Sequence, residues 1–108
     1  MITIYLICAN GASTSMLAEK MKAAAAEQGI DAAIAAYPDS SLPSLIDQAD
    51  VILLGPQIGF KKKKLQDKFS DKKAVIESVN SVDYGMMDGA RVLKYSLELV
   101  NTTIKRRM

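Results

Sequence analysis

The sequence predicts an α/β fold: a four-stranded parallel sheet with helices on both faces. Three observations carry that expectation. Short runs rich in β-branched and aliphatic residues recur along the chain, as strands buried on both faces should. Segments with apolar residues at helical spacing separate them. The first run passes directly into small, flexible, polar residues that open a helix, the strand–loop–helix junction of a parallel unit.

The first strand is Ile2–Ile7, followed by Cys8-Ala9-Asn10-Gly11-Ala12-Ser13-Thr14-Ser15. A helix is expected from about Ser15 to Gln28, with Ser13, Thr14 or Ser15 as its cap. Leu17, Met21, Ala24 and Ala25 share one of its faces, and Gly29 stands where a C-cap glycine belongs. Asp31–Tyr37 reads as a weak strand, its alanines diluting Ile34 and Tyr37. Pro38 and Pro43 bracket a polar loop, Asp39-Ser40-Ser41-Leu42, before a short helix over Ser44–Gln48.

Val51–Leu54 is the next buried strand, ending in a Gly55-Pro56-Gln57 turn. A third helix is expected over Ile58–Ser70, with Phe60, Leu65 and Phe69 toward the core. Ala74–Val79 is the fourth strand, and a loop over Asn80–Gly85 follows it. The last helix covers about Asp88–Lys105, where Leu93, Leu97, Val100 and Ile104 make one apolar stripe. Right-handed crossovers leave few strand orders. The order 2-1-3-4 would set strands one and three side by side, with their loops diverging into a crevice at the carboxyl ends. Those loops are Cys8–Ser15 and Gly55–Gln57.

Composition narrows the chemistry. With 108 residues, 49% hydrophobic and 24% charged, the chain is expected to form one soluble domain over residues 1–108. No apolar run approaches the length of a membrane span, and no basic leader precedes Ile2. A net charge of +2 is too small to argue for nucleic acid. The single cysteine excludes an internal disulfide and fits a reducing cytoplasm. Histidine is absent, so no residue here can be a histidine base, metal ligand or phosphohistidine. No metal or cofactor is expected.

Cys8 is the candidate reactive group. A cysteine ending a buried strand is most often a small hydrophobe. Here its neighbours are a flexible loop and a helix start, whose N–H groups and dipole favour a thiolate and can hold an anion without a basic side chain. A thiolate can take a phosphoryl group by in-line displacement. The loop has no arginine to clamp a transferring phosphoryl, although a phosphatase on such a loop needs one near Thr14. A thiophosphate here should therefore hydrolyse slowly, which suits a carrier. Lys61-Lys62-Lys63-Lys64 reads as a solvated helix face ahead of a docking patch. Gln57 is a site wall or only a turn residue. Tyr84 is a site border or an amphipathic surface tyrosine, and the methionines are packing residues.

The octapeptide Cys8–Ser15 resembles the phosphorylated-cysteine loop of the IIB component of bacterial sugar phosphotransferase systems, in the lactose/cellobiose (chitobiose) class. Leu53-Leu54-Gly55-Pro56-Gln57-Ile58 looks like that family's turn after strand three, and Tyr84-Gly85-Met86-Met87-Asp88-Gly89 its approach to the last helix. The resemblance covers essentially the whole chain and implies the 2-1-3-4 sheet. It implies that Cys8 accepts phosphate from a phosphohistidine on the IIA component and passes it to a sugar held by the membrane IIC component. Ala9, Asn10, Gly11, Ala12, Ser13, Thr14 and Ser15 would cradle the phosphate, with Gly55, Gln57 and Tyr84 bordering the site. The protein would then be cytoplasmic, recruited to the inner face of the membrane by IIC. The lysine run at 61–64 departs from the family pattern, which is more apolar or mixed there.

Two other readings share the same residues. One is a low-molecular-weight phosphatase-like or arsenate-reductase-like cysteine enzyme, with Asp83 as a candidate general acid. The other is a non-catalytic binding domain in which Cys8 only packs.

Overall fold

The computed structural model describes residues 1–9 and 12–107. Strand β1 is Ile2–Cys8, β2 is Ala32–Pro38, β3 is Val51–Leu54 and β4 is Val75–Ser78. All pairs are parallel, in the order β2-β1-β3-β4. The expected sheet is the one observed. Register puts Cys8 opposite Pro38, and aligns Ile7 with Leu54 and Leu54 with Ser78. The carboxyl ends of all four strands thus form one rim.

Alternation along the strands builds two cores. Ile4, Leu6, Ile34, Val51 and Leu53 face helices α1 (Ala12–Gln28) and α5 (Gly89–Arg107). Leu17, Met21, Ala24 and Ala25 of α1 are all buried there, as the spacing predicts. Leu93 is buried, and Leu97 and Val100 pack at the margin of the same cluster. The Ile104 side chain lies outside what is described. Gly29 closes α1 at φ +69°, with the Ile30 and Gly29 amides donating to the carbonyls of Ala25 and Ala26, a Schellman closure.

Tyr5, Ile7, Ile52, Leu54 and Ile76 form the opposite core. It is covered by shorter pieces: α2 (Leu42–Leu45) between 3-10 turns Asp39–Ser41 and Ile46–Gln48, then the 3-10 segment Pro56–Lys61 leading into α3 (Lys62–Lys68). The polar loop expected over residues 39–42 is therefore helical. A short α4 (Ser81–Gly85) replaces the loop expected after β4, because the Asn80 side chain accepts from the Val82 and Asp83 amides and caps it.

Phe60 is not a core residue. The expectation assumed one regular helix from Ile58, but Ile58 is kinked out of helical geometry (φ −119°, ψ 18°) within the 3-10 segment. The phase is lost, and Phe60 emerges 81% exposed while Phe69 is buried.

Candidate functional site

Cys8 is the last residue of β1, at the point where Ala9 bends the chain toward α1. Parity puts its side chain on the Ile4–Leu6 face of the sheet, the face that α1 covers. The helix begins at Ala12, three residues earlier than the sequence suggests. Ser13, Thr14 and Ser15 therefore occupy its first turn rather than the cap. This places Thr14 directly over the strand end. The Cys8 Sγ and Thr14 Oγ1 lie 3.2 Å apart in a buried hydrogen bond. Cys8 is 4% exposed and Thr14 1%.

The rest of the expected cradle divides in two. Ala9 and Ser15 are exposed beside this pair. Ala12 and Ser13 contribute first-turn backbone, at the end of the helix where the dipole is positive. Asn10 and Gly11 lie outside the described residues, as does the Ser13 hydroxyl.

Gly55 comes to Cys8 from the neighbouring strand. Its amide donates to the Ile7 carbonyl at 2.8 Å. A Cβ on Gly55 would sit 3.4 Å from the Cys8 Cβ and 2.9 Å from the Gln57 Oε1. The missing side chain thus lets the exposed Gln57 fold back against the strand end beside Cys8. Tyr84 is 7% exposed and belongs to the α1–α5 core cluster, so the surface reading of Tyr84 is corrected. The α4 cap turns it inward.

The lysine run stays at the surface, with Lys63 and Lys64 exposed. Lys61 holds Asp39 at 2.7 Å and Lys62 holds Glu77 at 3.3 Å, so half of the run also ties the α3 layer to the turn after β2 and to β4. The Lys61 hydrogen bond, chiefly, keeps the Asp39 carboxyl below its ordinary range. Asp83, the candidate acid of a phosphatase, instead pairs with Arg91 at 3.2 Å. Those two line a cavity of about 520 Å³ with Asn80, Tyr95 and Glu98, which does not include Cys8. Burial, and then the nearby Glu77 charge, raise the Tyr95 phenol there. Among the described residues no cluster of His, Cys, Asp and Glu could hold a metal ion, and no helix is long and apolar enough to cross a membrane.

Chemically, the described part of the site offers the Cys8 sulfur, the Thr14 hydroxyl bonded to it and a helix start, with no arginine before Arg91 and no histidine in the chain. It can form and release a bond at sulfur. Among the described residues it shows neither the clamp nor the placed acid that rapid hydrolysis needs.

A family model for the lactose/cellobiose-specific IIB subunit of PTS systems matches residues 3–95. The galactose-specific EIIB component of Lactococcus lactis subsp. cremoris (strain MG1363) is 38% identical over 103 residues, covering 91% of this chain and 95% of that protein. The oligo-beta-mannoside-specific EIIB component of Bacillus subtilis (strain 168) is 35% identical over 97 residues, covering 90% and 94%. Among solved structures, the cellobiose-specific phosphotransferase IIB component of Borrelia burgdorferi aligns with a TM-score of 0.78 at 37% identity over 94% of each chain. The lactose-specific IIB component domain of Streptococcus pneumoniae shares the fold, with a TM-score of 0.82 at 15% identity over 90% of this chain and 95% of that one.

Proposed function

The chain belongs to the lactose/cellobiose-specific IIB family of sugar phosphotransferase systems, whose members are phosphotransferase subunits, and from that premise we propose that residues 1–108 form one phosphoryl carrier domain working through Cys8. The Cys8 thiolate attacks the phosphorus of a phosphohistidine on a IIA component. An S–P bond forms, the N–P bond breaks, and the imidazole leaves. A sugar hydroxyl, held by a membrane IIC component, then attacks the same phosphorus. The O–P bond forms and sulfur leaves as thiolate, while the hydroxyl proton passes to the acceptor side.

The observation that carries this reading is the Cys8–Thr14 hydrogen bond at the mouth of α1. Either atom can donate while sulfur is a thiol. Once it is a thiolate only the Thr14 hydroxyl can, and a buried charge-assisted bond of this kind stabilises the nucleophile and leaving group alike. Backbone N–H groups of the first turn, with Ala9, Asn10 and Gly11 before them, would receive the phosphate oxygens. Cover over Cys8 and the lack of an arginine clamp keep water from cleaving the S–P bond quickly. The protein would act in the cytoplasm and meet IIC at the inner membrane face. Relatives named for galactose, cellobiose and oligo-beta-mannosides are 38%, 37% and 35% identical to the chain, so the identities favour none of these sugars over the others.

Intact-mass analysis after incubation with phosphorylated IIA tests the reading. Wild type should gain one phosphoryl group and Cys8→Ala none. Thr14→Val should still fold, yet exchange phosphate about tenfold or more slowly, the size of one lost charged hydrogen bond. No mass gain with a competent donor, or steady turnover of a simple aryl phosphate, contradicts it.

A further inference from the structure

The α2–α3 side of the rim carries a feature that phosphoryl chemistry at Cys8 does not use. A groove of about 340 Å³ runs between α2 and the 3-10/α3 segment. Leu42, Leu65 and Phe69 floor it, and the 81% exposed Phe60 stands at its side. An exposed phenylalanine beside an apolar cleft is the kind of anchor found at the centre of protein interfaces. Lys61, Lys64 and Lys68 rim the groove at spacings of three and four, one stripe along the segment. Asp39 is the single carboxylate in the lining, and Lys61 already holds it. Among the described residues neither Lys64 nor Lys68 has a carboxylate partner.

The upper end of this groove adjoins the candidate site. Asp39 directly follows Pro38, the register partner of Cys8, and Phe60 lies three residues after Gln57. A protein seated in the groove can therefore extend over the Cys8 rim. Charge then selects among occupants. Two copies of this chain joined groove to groove would oppose their lysine stripes, which disfavours a dimer there. The sugars for which the relatives are named, galactose, cellobiose and oligo-beta-mannosides, are uncharged. A phosphorylated donor arrives with a phosphoryl dianion, and a lysine rim accelerates that encounter.

We propose that the Phe60 groove is the docking surface for the phosphohistidine-bearing donor, engaging an acidic rim and one apolar side chain on it. This rests on the carrier reading above. The test follows the rate of Cys8 phosphorylation by phosphorylated IIA at several salt concentrations. It compares wild type, Phe60→Ala, the double variant Lys64→Glu/Lys68→Glu, and Lys94→Glu on α5 as a control. Thermal unfolding of each variant confirms that these exposed changes leave the fold intact.

At low salt the double variant should lose about tenfold or more in kcat/KM and most of its salt dependence. Phe60→Ala should raise KM and weaken binding of unphosphorylated IIA measured by titration calorimetry. The Lys94→Glu control should match wild type. The proposal is overturned by variants that accept phosphate as fast as wild type. It is overturned equally by a defect seen only in transfer from phosphorylated Cys8 to sugar, which would assign the groove to the acceptor, and by a wild-type dimer that Phe60→Ala dissociates. A wild type that takes no phosphate from IIA at all defeats the carrier reading first, and this one with it.

Discussion

The two faces of the sheet are built differently. On one, α1 and α5 are 17 and 19 residues long and lie directly against each other. On the other, α2 and α3 are 4 and 7 residues long, joined to the strands through 3-10 turns. The long-helix face holds the sulfur: Cys8 points to it, and Thr14 in the first turn of α1 meets the thiol. The short-helix face carries the exposed Phe60, the lysine stripe and the groove. Regular helices with complete ladders and large apolar burial are stiff, and groups that must sit within fractions of an ångström belong on such elements. Short helical pieces bury less and leave polar and apolar side chains at the surface, where a transient partner can reach them. On the proposed carrier reading, chemistry and recognition would be separated across the sheet and meet at its carboxyl rim.

The largest test of that contrast is a matched pair of core truncations. Leu93→Ala on α5 removes a side chain that is 0% exposed and should cost about 3 kcal/mol or more. Leu65→Ala on α3 removes a half-buried one and should cost about 1 kcal/mol. Urea unfolding of both variants reads the difference directly. Equal losses would mean that the short-helix face is packed as tightly as the other, and the division of roles would fail.

The next effect isolates the contact between the long helices. Gly89 opens α5 against the backbone of α1, where a Cβ would come within 2.6 Å of the Lys20 carbonyl oxygen and the Met21 nitrogen. Backbone atoms cannot rotate away, so Gly89→Ala must push the helices apart, at about 2 kcal/mol. Gly85, four residues earlier, has nothing within 4 Å of its would-be Cβ. Gly85→Ala should leave stability unchanged or raise it by about 0.5 kcal/mol. The midpoints of thermal unfolding should therefore move in opposite directions, or one should move alone. If they fall together, the close approach of α1 and α5 is not what requires a glycine at 89.

What could be read in the sequence follows the same division. The strands were legible because runs such as Ile4–Ile7 and Val51–Leu54 are buried on both sides and carry no charged residue. The α1 and α5 stripes were legible because long helices keep a period of 3.6 residues. Short 3-10 segments keep no such phase, which is why helical spacing points Phe60 to the core and the polar run at residues 39–42 reads as a loop. The ion pairs of Lys61 and Lys62 are not legible in the sequence because their partners, Asp39 and Glu77, are 22 and 15 positions away. At the site, Cys8 and its loop stood out by residue type. The Thr14 contact needed the true start of α1, and Gly55 needed the strand register, neither of which spacing alone supplies.

The smallest effect concerns the ion pair that closes the upper end of the groove. The hydrogen bond from Lys61, above all, lowers the Asp39 carboxyl from its ordinary range. A carboxyl lowered in the folded state binds fewer protons there than in the unfolded chain. Its contribution is present above the unfolded value and disappears as pH falls through the folded one. The pair is part-exposed, with 38% and 30% of the two side chains accessible, so screening keeps its worth below about 1 kcal/mol. Asp39→Asn should lower stability by that small amount at neutral pH, and the gap from wild type should close in acid below the ordinary carboxylate range. The same substitution should release Lys61 into the groove's rim, so donor phosphorylation should become slightly faster at low salt while stability falls. A loss of stability that persists undiminished in acid would show that Asp39 acts through packing of the turn after β2, and the lysine stripe would then owe nothing to this pair.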